Sequence, residues 1–152
     1  DVFEKYKILS AREVESRYAI ILEGYNKVIN QEGQCTLDMG RRQILPATLL
    51  FQGDLAKSIG ETKALLGEGA VKPQIEILKE IADLNNAFKG KLDELEKALD
   101  HEDADVLKHA QHFRDSVIPK MNAAREVADK LEVLVDSQYW PLPTYSEMLF
   151  IA

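Results

Sequence analysis

Apolar residues fall at helical intervals almost from the start of this chain. Val14, Tyr18, Ile21, Tyr25 and Val28 recur at steps of four, three, four and three, the stripe of an amphipathic helix. Ser10-Ala11-Arg12-Glu13, just ahead of that stripe, has the form of a capping box, with Ser at the N-cap and Glu three residues on. Glu13 and Arg17, and Glu23 and Lys27, stand four apart with the acid leading, the order that supports a helix. The spacing predicts a first helix over residues 11 to about 31.

Helical spacing resumes through Leu37, Ile44, Phe51, Leu55, Ile59 and Leu66, although Gly33 and Gly40 weaken it. Either a turn near Gln31–Thr36 separates two helices, or one long helix continues with a bend. No strong turn dipeptide interrupts the segment, so the single bent helix is the expected form. Pro46 must in either case disturb the backbone ladder, because it lacks an N–H and clashes with the preceding turn.

Gly67-Glu68-Gly69 has the composition of a helix C-cap, and Pro73 suits the first turn of the next helix. Ile75, Leu78, Ile81, Leu84, Phe88, Leu92, Leu95 and Leu99 then form the clearest stripe in the chain. The acidic link Asp100-His101-Glu102-Asp103 supplies a turn and an N-cap. A last long helix carries Val106, Ala110, Phe113, Val117, Met121, Ala124, Ala128, Leu131 and Leu134; the stripe keeps phase past Pro119, which should bend the helix without ending it. Two long helices joined by a short link pack as an antiparallel hairpin. No segment reads as a strand. The expected fold is all-α, an up-down bundle of three or four long antiparallel helices in a single domain over residues 1–152.

Residues 137–152, SQYWPLPTYSEMLFIA, break the pattern. Pro141 and Pro143 favour an extended path, and Thr144 with Glu147 suits the cap of one short terminal turn. So apolar an end needs burial. It either folds back on its own bundle or docks on a neighbouring domain or subunit, and the residues alone leave both open.

Composition narrows the function classes. The net charge of −7, with acids and bases interleaved, argues against a nucleic-acid partner, which requires a basic face. No apolar run approaches the ~20 residues that span a bilayer. The single cysteine, Cys35, excludes an internal disulfide and reads as a small half-buried apolar residue. The chain opens on Asp1 without a targeting segment, which suggests a piece of a longer protein and a cytoplasmic setting.

Catalytic chemistry is hard to find. His109 and His112 are three apart and Asp105 is four before His109, so one helix face presents all three as weak metal-ligand candidates. Bundle metal sites, however, use Glu-x-x-His on facing helices, and no Glu stands three before any histidine here. A solvated, acidic helix start accounts for the same residues. Gly67-x-Gly69 lacks the strand and the Gly-Lys-Ser/Thr of a phosphate loop, and Arg41-Arg42 reads as an exposed basic pair. On its residues the chain is a non-catalytic interaction or structural module, such as a sensor or adaptor bundle binding a partner helix.

A resemblance adds to this. Ala128-Asp129-Lys130-Leu131-Glu132, then Trp140-Pro141-Leu142-Pro143-Thr144-Tyr145 and Glu147-Met148-Leu149-Phe150, resembles the C-terminus of type III glutamine synthetases. Phe3-Glu4-Lys5-Tyr6, Leu9-Ser10 and Glu13-Val14-Glu15-Ser16-Arg17-Tyr18 resemble the stretch where that family's chain leaves its catalytic domain. Leu37-Asp38-Met39 with Arg41-Arg42-Gln43-Ile44-Leu45-Pro46-Ala47 resembles the helix that follows. The resemblance implies a bacterial parent enzyme that makes glutamine from glutamate, ammonia and ATP with Mg or Mn, assembled as a homododecamer of stacked hexameric rings. It implies no cofactor and no catalytic residue within this stretch. The partners it implies are the catalytic domain of the same chain and neighbouring subunits, with Tyr139, Trp140, Leu142 and Tyr145 as the expected interface residues. Gly24, Gly33 and Gly40 depart from the good helix formers expected in the first helical stretch.

Overall fold

A computed structural model describes residues 2–101, 103–143 and 145–149. After a single turn, α1 (Val2–Lys5), the chain forms three long rods, and no strand occurs among the described residues. The first rod is α2 (Ala11–Met39), a π-helical turn (Gly40–Ile44) and α3 (Leu45–Leu66), without interruption. One continuous rod, with no turn near Gln31–Thr36, is therefore the form adopted. The second rod is α4 (Lys72–Leu99), entered through a 3₁₀ turn (Glu68–Val71). The third is α5 (Val106–His112), a π turn (Phe113–Val117) and α6 (Ile118–Leu134). A short helix, α7 (Tyr145–Leu149), follows the tail.

Local chemistry sets these limits. Ser10 and Glu13 form the predicted capping box, with the Glu13 N–H donating to Ser10 Oγ at 3.3 Å and the Ser10 N–H to Glu13 Oε2 at 2.8 Å. Gly67 ends α3 at φ +82°, a left-handed value that disfavours side chains, and its N–H reaches Lys63 O at 2.9 Å. The cap of α5 is Asp105 rather than a residue of the 100–103 link. Its Oδ1 accepts from the N–H groups of Leu107 and Lys108 at 2.9 and 3.1 Å.

Both internal prolines sit two residues past a π turn. The N–H of Leu45 donates to Gly40 O, and that of Ile118 to Phe113 O, each reaching five residues back. The ladder thus slips by one residue just before Pro46 and Pro119, where a proline lacks the donor and its ring needs room. Each rod continues through its π turn without a break.

Cross-contacts fix how the rods align. Leu99, at the end of α4, reaches Gly33, so the second rod runs antiparallel along the first. The third rod starts beside Asn26, whose Nδ2 donates to Val106 O at 3.1 Å, passes Val117 near Gly33, and delivers Tyr139 to Phe51. It therefore runs parallel to the first. The core at the centre is built on Ile81, Phe88, Leu92, Leu95, Val117 and Leu131, all nearly or completely buried. Gly33 and Gly40 permit the close approach: a Cβ would stand 2.6 Å from Leu99 Cδ2 at Gly33 and 2.6 Å from Leu92 Cδ2 at Gly40. Two of the three unexpected helix glycines thereby find their reason. Gly24 meets nothing within 4 Å.

The first rod, roughly 80 Å long at 1.5 Å per residue, outreaches the other two. Its partners begin only near Asn26, so the predicted stripe at its start is not core. Val14, Tyr18 and Ile21 are 37%, 53% and 70% exposed, and Val28 is exposed as well. Leu66 and Ile75, expected in the stripes near the opposite end, are also exposed.

Candidate functional site

The histidine segment is brought together, but each side chain is engaged elsewhere. Asp105 is spent on capping α5. His112 Nε2 donates to the carbonyl of Ala98 at 2.8 Å, tying the third rod to the second. His109 stacks on Phe113 with ring centroids 4.7 Å apart, and His101 lies over His112 at 4.1 Å. Among the described residues, no group of three or more His, Cys, Asp or Glu side chains is placed to hold a metal ion.

The tail folds back on its own bundle. An Asx turn starts it, with the Gln138 N–H on Asp136 Oδ1 at 2.7 Å and the Tyr139 N–H on Asp136 O at 2.9 Å. Tyr139 packs edge-on against Phe51, and its O–H donates to Asp54 at 2.5 Å. That hydrogen bond to an acid holds the phenol pKa above its usual range. Trp140 and Leu142 pack against the core, half-buried. Three of the four expected interface residues are thus engaged by this chain's own helices. Tyr145 opens α7, and its side chain lies outside the described part.

Two residues differ from their sequence reading. Cys35 is exposed rather than half-buried, within 3.5 Å of Gln31 Nε2. Of the basic pair, Arg42 is exposed beside Asp38 at 3.2 Å, but Arg41 is half-buried at the π turn. Its guanidinium forks onto the Glu96 carboxylate, one arm at 2.6 Å, and also reaches Asp93 at 3.2 Å. Those donors hold Glu96 below the ordinary carboxylate range; for Asp93 the larger contribution is Lys89, at 2.6 Å. Nothing in the primary sequence marks this triad, because the partners stand more than fifty positions apart.

The start of the chain carries a cluster of exposed apolar side chains. Val2, Phe3, Tyr6 and Ile8 around α1, and Val14, Tyr18, Ile20 and Ile21 on α2, are all exposed. So many large apolar side chains on one projecting arm exceed the scattered exposure normal for a surface and mark an interaction site. Periodicity located the stripe, but only the lengths of the other rods reveal that it is bare.

This arm lies within the stretch, residues 1–63, that matches the family of glutamine synthetase C-terminal domains. Over those residues the chain is similar to that family. It is 30% identical to a glutamine synthetase of Butyrivibrio fibrisolvens over 154 aligned residues, covering 99% of this chain and 22% of that protein. It is 31% identical to the type-3 glutamine synthetase of Dictyostelium discoideum, covering 99% of this chain and 21% of the relative. A glutamine synthetase of Bacteroides fragilis is 26% identical over 95% of this chain. The chain therefore spans about a fifth of the length of the curated relatives it matches. Among its described residues, no helix is long and apolar enough to cross a membrane.

Proposed function

We propose that this domain is a non-catalytic docking element of a type III glutamine synthetase, and that it packs through its projecting arm onto the catalytic part of the same chain or of a neighbouring subunit. The whole enzyme then ligates ammonia to glutamate at the expense of ATP, with Mg or Mn held in the catalytic part, as a cytoplasmic homododecamer. The relatives' names and their roughly fivefold greater length support that assignment. The observation that carries the docking role is the bare stripe Val14, Tyr18 and Ile21 beyond the end of the bundle. Its four-three spacing suits a helical partner. The acids and bases interleaved along the arm suit a mixed-charge protein surface rather than nucleic acid.

Charge reversal of the apolar stripe tests this. Tyr18→Glu with Ile21→Glu alters only exposed positions, so the domain should keep its helical signal. In the full-length enzyme the double variant should shift the oligomer toward smaller species by sedimentation velocity and lower glutamine formation in parallel. An assembly and activity indistinguishable from the unaltered enzyme would refute the docking role.

A further inference from the structure

Besides the stripe of the projecting arm, α2 carries a second exposed face. Ile21, Gly24, Val28, Gln31 and Cys35 follow one another at steps of three and four, the spacing of a helix–helix seam, and Ile20 flanks them. Ile20, Ile21 and Val28 are 63%, 70% and 55% exposed, and Cys35 is exposed too. At 3.6 residues per turn, this line points away from Asn26, Gly33 and Leu37, which are buried against the bundle. It lies on the outer side of the first rod.

Gly24 sits in the middle of that line. Glycine weakens a helix interior, and at Gly33 and Gly40 the same rod uses the missing side chain to admit Leu99 and Leu92. Gly24 meets nothing within 4 Å in its own chain. By the same logic it suits a helix that arrives from outside.

Charge decides which helix. An antiparallel two-fold through Gly24 sets Ile20 opposite Val28 of a second copy, with the two glycines face to face. The same register brings Arg17 level with Glu32 of the second copy, and Lys27 level with its Glu23, each pair on one flank of the seam. Every contact then occurs twice, as a two-fold interface requires. A parallel pair would instead set each charge beside its own like.

We propose that the outer face of α2 pairs with the same face of a second copy of this chain, as an antiparallel helix crossing centred on Gly24. The pairing leaves Val14 and Tyr18, on the adjacent side of the helix, to the docking proposed above, and does not rest on that reading.

Sedimentation equilibrium of this chain should show a monomer–dimer equilibrium. Gly24→Leu fills the crossing at a position open in the monomer, so dilute protein should keep its helical circular dichroism while dimerisation weakens by roughly tenfold or more. Arg17→Glu should weaken the dimer, and adding Glu32→Arg should restore it. Tyr18→Glu, off the seam, should leave it unchanged. A nitroxide on Cys35, the only cysteine, reads the direction: antiparallel copies hold the labels roughly 35 Å apart at 1.5 Å per residue, whereas parallel copies bring them into contact. In the full-length protein, Gly24→Leu should likewise shift the oligomer toward smaller species.

A monomer at every concentration, labels in contact, a charge swap that restores nothing, or a full-length oligomer untouched by Gly24→Leu would each overturn the proposal. None of those results bears on docking through Val14 and Tyr18, which the catalytic part is needed to show.

Discussion

Glycines in the long first rod separate two demands that compete at single residues. In a helix interior, glycine costs about 1 kcal/mol relative to alanine, so each should be improvable unless its missing side chain is needed. At Gly24 a Cβ would meet nothing within 4 Å, whereas at Gly40 it would stand 2.6 Å from the buried Leu92. Gly24→Ala should therefore stabilise the domain by about 0.5–1 kcal/mol. Gly40→Ala should destabilise it by about 1–3 kcal/mol through overpacking, less whatever helix propensity returns. Urea melts of both variants check the opposite signs. The sequence marks all three glycines alike; only the neighbours across the helix interface tell Gly24 from Gly33 and Gly40.

Between elements, polar contacts set the register that apolar packing leaves loose. Thr48 and Asn85 are buried where the first rod meets α4, with Thr48 Oγ1 2.6 Å from Asn85 Oδ1. Asn85 Nδ2 continues to Gln52 at 2.8 Å. Thr48→Val keeps the shape and strands the Asn85 oxygen, so it should cost about 1–3 kcal/mol. Asn85→Leu made together with Thr48→Val removes both partners and should restore part of that loss, a coupling that a double-mutant cycle measures. The helices, the caps at Ser10 and Gly67 and the persistence of two rods through Pro46 and Pro119 were legible from spacing and composition; the cap of α5 was expected too early in the link, before Asp105. The π turns were not. They answer a requirement of the proline ring, yet a bend alone would also satisfy the same stripe. The Arg41–Glu96 pair was equally hidden, because its partners meet only when the first rod and α4 lie antiparallel.

Across the whole molecule, acid should loosen the assembly of rods. Arg41 holds Glu96 below its usual range, and Lys89 with Arg41 does the same for Asp93. Their folded-state pKa values are depressed, so their contribution is complete above the unfolded values of about 4. It is lost as pH falls through the lower folded ones. The urea midpoint should decline on acidification below that point, and Arg41→Met should flatten the decline; an identical pH profile for this variant would count against the network. Taken by itself, the sequence determined that the chain is helical, where its helices start and stop, and that it resembles a synthetase C-terminus. It did so because caps, periodicity and proline-aromatic spacing act over a few residues. The tertiary structure decided which stripes are buried, since that depends on how far each rod extends beside its neighbours. By that route Tyr139, Trp140 and Leu142 pack on their own bundle, while Val14, Tyr18 and Ile21, on the predicted stripe of the first helix, stand bare.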